Sequence, residues 1–209
     1  MICKFSTSEL ALLPQGNGER DAIADWLREH GEHVFAILPE QWNSLTLTSL
    51  GRRSDWQGLE PLNIVYDKTP EPFNLISNLA PTPFFMDGAH YASVEGFWQG
   101  LKFPDDNDRT RIGGLDRHSA RKSGEKAKKV DLIVYSGHDI RVGTYDHWQL
   151  MERACRAKFL QHQPARQALI DTGTRLLTHK VARDSRTIPG VIMADVWMRL
   201  RDDIAQHLL

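Results

Sequence analysis

Between Ser93 and Phe103 the chain reads SVEGFWQGLKF. On a helix, Glu95, Trp98, Gln99 and Lys102 fall at i, i+3, i+4 and i+7 and share one face. Val94, Phe97, Trp98 and Leu101 form the adjoining apolar stripe. A carboxylate, an amide and an amine on the rim of such a stripe fit two arrangements. In the first they are a solvated border, with Glu95 complementing the helix dipole and Lys102 laying its stem along an aromatic ring. In the second the border faces a pocket, where a carboxylate and an amine act on a ligand.

A second lysine raises the same question. In the segment HWQLMERACRAKFLQH the apolar positions Met151, Ala154 and Cys155 make residue 158 the next core-facing position, and that residue is Lys158. Lysine is rarely buried alone, so Lys158 is expected to snorkel outward, pair with a carboxylate or line a cavity. The stretch from Asp116 to Lys129 carries six Lys/Arg against two acids. It lacks the interleaved aromatics on which bases stack, although its arginines could clamp a phosphate. The nine histidines show no HExxH or other metal spacing, and no metal is expected. Asp184 and Arg186 stand between a strand and the last helix, where loops often contribute to sites.

The elements that position these residues can be read from local signals. LNIVYD (Leu62–Asp67) is β-rich. Asp87-Gly88 between FFM and AHY predicts a type I′ hairpin, because both central residues must take positive φ. Ser93 is suited to cap the helix that follows, and Pro104 marks its end. VDLIVYSG predicts a buried strand, and Asp146 or a neighbour opens the helix carrying Lys158. Pro164 suits the first turn of a further helix ending near Thr172-Gly173, and RLLTHKV returns as a strand. The last helix carries Val196, Trp197, Leu200, Ile204 and Leu208 on one stripe. Ahead of all this, Glu19–Leu38 predicts a helix and a short strand, and Asn43–Gly51 alternates weakly. The expected organisation is an extension over residues 1–60 packed on one α+β domain over residues 61–209, mainly helical with a few short strands and a hairpin.

The bulk numbers narrow the classes. The formal net charge of −1 provides no global field to recruit nucleic acid or an acidic membrane. The two cysteines, Cys3 and Cys155, have no metal or disulfide-framework spacing and suit a reducing cytoplasm. No signal peptide or membrane helix is expected.

The block FNLISNLAP…FFMDGAHYASVEGFWQGLKF (Phe73–Phe103) resembles the opening block of the NADAR, or YbiA-like, family. MERACRAKFLQHQPARQALIDTGTRLLTHK (Met151–Lys180) is similar to that family's later helices and Thr-Gly turn. The likeness spans about residues 62–205 and rests on two ordered blocks. Two departures stand out. Gly96 replaces the family's usual His, and ARDSRTIPGVIMADVWM keeps Asp184 but lacks the Trp-Gly and Lys-Asn elements.

The resemblance implies an N-glycosidase that hydrolyses a ribosyl–nitrogen bond. Its substrate would be a phosphoribosylated intermediate of riboflavin synthesis or ADP-ribosylated guanine of nucleic acid, and no cofactor is implied. Asn78, Glu95, Gln99, Lys102 and Lys158 match the family's polar positions. In that reaction Glu95 would stabilise positive charge developing on the sugar. A neutral lysine, Lys102 before Lys158, would attack the anomeric carbon to form a Schiff base. Tyr91, Phe97 or Trp98 would flank the base, and Arg117 or Arg121 would hold phosphate. The competing expectation is a module that binds ADP-ribose or a nucleotide without cleaving it.

Overall fold

The computed structural model describes residues 61–127, 130–182, 185, 187–188 and 190–206. The expectations for residues 1–60, and those for Asp184, Arg186 and Leu208, lie outside the described residues. Strand β1 (Leu62–Asn63) is followed by a short 3-10 turn (Phe73–Ile76) and the hairpin β2–β3 (Phe84–Met86, Ala89–Tyr91). Helices α1 (Val94–Gly100), α2 (Asp106–Gly113) and α3 (Arg117–Gly124) come next, then the hairpin β4–β5 (Leu132–Tyr135, His138–Arg141). Helices α4 (Tyr145–Gln161) and α5 (Gln163–Ile170), strand β6 (Leu177–Thr178) and helix α6 (Gly190–Ala205) complete the order. Among the described residues, six helices with a few short two-stranded pairings make an α+β fold.

Several elements follow the sequence signals closely. Asp87 and Gly88 both take positive φ, 51° and 80°, and pair Phe84 with Tyr91 across the hairpin. The Ser93 hydroxyl accepts the Gly96 N–H at 2.9 Å, capping α1. Pro164 lies in the first turn of α5, and the His162 ring caps that helix by accepting from the Ala165 N–H.

Others differ. Helix α1 ends at Gly100, before Pro104, so Lys102 sits in a turn whose N–H bonds Gln99 O. Helix α4 opens at Tyr145, beside Asp146, with Thr144 at the N-cap position and no side-chain capping bond. The strand in VDLIVYSG is not buried on both faces: Leu132 and Val134 are 51% and 47% exposed, while Ile133 between them is buried. A lone hairpin covers only one face, and its turn, Ser136-Gly137, is a second pair at positive φ. Within LNIVYD only Leu62–Asn63 is strand. The chain turns immediately afterwards around Thr69, whose hydroxyl accepts the Val65 N–H at 2.7 Å.

One contiguous core joins these parts. Trp197, Phe97, Phe159, Phe84 and Ile76 are buried within it. Helix α1 packs against α2, α3 and α4, and α6 against α5 and β6. Strands β1 and β6 pair in parallel, Leu62 with Leu177 and Asn63 with Thr178. That pairing sets the loop after β1 beside the loop after β6, and a cavity opens between those loops and α1.

Candidate active site

Helix α1 is fixed by its backbone. The Glu95 N–H bonds Asn78 O at 2.9 Å, anchoring the first turn to the loop after the 3-10 turn. On the opposite side Gly96 presses against the end of α2: a Cβ there would stand 2.5 Å from Leu115 O and 2.9 Å from Gly113 O. The helix therefore has no room for the histidine that the resembled family carries at this place. Gly100 repeats the contact against Arg109 O.

So held, α1 turns Glu95, Trp98 and Gln99 into a cavity of about 620 Å³. Its other walls carry Arg121 and His118 from α3, Asn78, Met151 from α4, His179 after β6, and Met193 and Trp197 from α6. Tyr66 and Asp67 stand there from the β1 loop, and Ser185 and Ile188 precede α6. That volume suits a nucleotide-sized ligand, since small-molecule pockets run from roughly 300 to 1,000 Å³.

Glu95 keeps part of its surface open to the cavity while lying deep in the protein. Burial raises its pKa above the ordinary carboxylate value. The hydrogen bond from Gln99 and the charges of Lys102, Arg121 and His179 work in the other direction. Gln99 donates Nε2 to Glu95 Oε1 at 2.7 Å, and its own Oε1, buried against Gly124, makes no hydrogen bond among the described residues. Trp98 is stacked from behind by His147, ring centroids 4.1 Å apart. Burial lowers the His147 pKa to about 4, so its ring is neutral at pH 7.

The remaining candidates fall in different places. Arg121 lines the cavity and faces Glu125 at 3.7 Å. Arg117 does not reach the wall; it takes a positive φ of 49° and donates Nε to Tyr66 Oη. Lys102 stands half-buried beyond the end of α1, outside the cavity lining but within electrostatic reach of Glu95. Burial lowers its pKa, against the pull of Glu95 and Glu125. Tyr91 is away from the cavity, stacked on its hairpin partner Phe84 and edge-on to Phe97, because the strand register holds its ring there.

Asn78 lines the cavity with its amide held by sulfur. Nδ2 donates to Met151 Sδ and Met193 Sδ, and Oδ1 accepts from Cys155 Sγ at 3.6 Å. Lys158 is fully buried behind this loop and donates Nζ to Ile76 O at 2.9 Å and Ser77 O at 2.8 Å. Burial lowers its pKa to about 7. None of the three outcomes expected for Lys158 describes this arrangement, in which backbone carbonyls take the place of a carboxylate.

His179, His118, Tyr66, Asp67 and Trp197 belong to the cavity and carry no local sequence signal of it, except that His179 follows directly on a strand. Among the described residues no three His, Cys, Asp or Glu side chains gather as a metal ion would require. No helix among them is long and apolar enough to cross a membrane.

Comparison with known proteins places this geometry. The sequence model of the family described as Bacteriophage protein GP30.3 matches residues 72–198. An uncharacterised 17.1 kDa protein of Enterobacteria phage T4 is 27% identical over 140 residues, 64% of this chain and 92% of that protein. A protein of Nostoc punctiforme named as an N-glycosidase is 29% identical over 129 residues, 59% of this chain and 77% of its own length. The NMR structure of the E. coli protein YbiA superposes with a TM-score of 0.52 at 21% identity, covering 75% of this chain and 92% of that one. Since the family model spans more than half of the sequence and the fold is that of YbiA, the chain belongs to the GP30.3 family and is a NADAR/YbiA-like domain.

Proposed function

We propose that this protein is an N-glycosidase that hydrolyses the ribosyl–nitrogen bond of a phosphoribosylated or ADP-ribosylated base. The reading rests on one observation above the others: a carboxylate, Glu95, sits in a nucleotide-sized cavity with its hydrogen-bond partner on the same helix and Trp98 beside it. The relative named as an N-glycosidase supports the same reaction class. Breaking a C–N glycosidic bond develops positive charge on the sugar, and a fixed carboxylate in a poorly solvated site stabilises that charge strongly. Trp98 offers a face or edge to the base, and Arg121 a guanidinium for phosphate.

The test is incubation with ADP-ribosylated guanine oligonucleotide and with phosphoribosylaminopyrimidines, reading released base by mass spectrometry. Release from either supports the reading. Binding without release favours the non-cleaving module, and calorimetry without binding to any ribosylated ligand sinks both.

Borohydride present during turnover separates the lysines. Lys102 has a lowered pKa and a partly open side chain, whereas the Lys158 amine is enclosed and occupied by two carbonyls. No reduced substrate adduct is expected on either lysine by peptide mapping, as direct attack of water requires. An adduct on Lys102 or on Lys158 would make that amine the nucleophile and rule out direct attack of water.

A further inference from the structure

Three histidines stand in or directly behind the cavity, and their ring nitrogens are committed differently. His118 Nε2 faces Asp67 Oδ2 at 3.0 Å, with both side chains largely exposed. His147 lies behind Trp98, accepting the Gly143 N–H on Nδ1, and its ring bonds the Thr187 backbone. His179 differs. Its Nδ1 is 2.6 Å from Ile64 O. A carbonyl only accepts, so Nδ1 carries the proton, and it is Nε2 whose lone pair is available to a ligand when the ring is not protonated there. Trp197 meets the ring edge-on, centroids 5.5 Å apart. The imidazole is thus held from two sides, and among the described residues its Nε2 makes no hydrogen bond. It lines the same cavity as Glu95 and lies near enough for its charge to act on that carboxylate.

Building on the glycosidase reading, we propose that His179 is the general base of the reaction, with Nε2 accepting a proton from the water that attacks the anomeric carbon. The water oxygen bonds the anomeric carbon as the carbon–nitrogen bond breaks, and that electron pair leaves with the base nitrogen. One water proton moves to Nε2 and is passed on to the departed nitrogen, so the imidazole ends neutral and the products are free base and sugar. Glu95 is the fixed negative charge beneath the sugar. The division of labour leaves neither group with two tasks at once, and the backbone anchor at Ile64 keeps the correct tautomer ready, as orienting groups do for catalytic histidines.

Glu95 from α1, Arg121 and His118 from α3 and Asp67 from the β1 loop share the cavity with His179, so the discriminating readouts are turnover and its rescue by added imidazole. In His179→Asn the side-chain amide takes over the donation to Ile64 O, and the protein should melt as the wild type does. Its kcat should fall by about a hundredfold or more, the usual range for a lost general base. Added imidazole should restore part of the turnover of His179→Gly.

A folded His179→Asn with turnover near wild type, or a His179→Gly that imidazole does not rescue, overturns the proposal while leaving the glycosidase reading in place. A wild-type protein that releases base from no ribosylated substrate overturns that reading first, and the role of His179 with it.

Discussion

Glu95→Gln is expected to lower glycosidase turnover by roughly two to three orders of magnitude in a protein that remains folded, which is the scale on which a single fixed electrostatic group acts in a transition state. The side-chain volume hardly changes, and what disappears is the negative charge beneath the sugar. The same substitution should raise the melting temperature at pH 7. Burial holds the pKa of Glu95 above its unfolded value, so the folded state binds the proton more tightly. Stability is then lost as pH rises through the folded value, and no penalty remains below the unfolded one. The glutamine variant carries no such penalty, and the two proteins should converge in stability as pH falls below the carboxylate range. The kcat/KM of the wild type should drop on acidification at a pH above that of an ordinary carboxylate. Turnover near wild type in folded Glu95→Gln would return Glu95 to a helix-dipole role.

Lys158→Met should reveal a buried amine through the pH dependence of stability. Burial sets the folded pKa near 7, well below the unfolded value. Above that point the unfolded chain binds the proton that the native state has released, so this group makes stability rise with pH. The slope for one proton is about 1.4 kcal/mol per pH unit at most. Methionine fills similar space but leaves Ile76 O without its donor, a loss of about 1–3 kcal/mol for a buried acceptor. Urea denaturation at pH 7, 8 and 9 should therefore show a deficit in Lys158→Met that widens with pH. A constant deficit would mean that the amine remains charged throughout, as a conventional cation on the two carbonyls.

Much of the site's frame was legible because its signals are local. Ser93 as a cap, Asp87-Gly88 as a turn, and the shared face of Glu95, Trp98 and Gln99 each depend on residues within one turn of chain. Lys158 was legible only as a conflict, a charge at a core-facing position. Its partners are the carbonyls of Ile76 and Ser77, and backbone acceptors have no sequence signature. Helix α2 escaped because DNDRTRIG has almost no apolar periodicity; of its residues only Ile112 and Gly113 are buried. What forms it is the Asp105 cap, with Oδ1 accepting the Asp108 N–H, and the close fit of α1's glycines. His179 escaped for a related reason. Its place in the cavity depends on a strand partner more than a hundred residues away, and no local window contains both.

That partner, β1, has a consequence for the order in which the molecule assembles. Asn63 and Thr178 are joined by side chains as well as by strand register across 115 residues. Loop closure over such a span is entropically expensive, whereas the hairpins and the α1–α2 contact close within short loops. The pocket should therefore be among the last features to form during refolding, after most helical signal has returned. Tryptophan emission from Trp197, against which His179 packs, should lag behind far-UV circular dichroism in stopped flow. Nucleotide capture should appear only with that later phase.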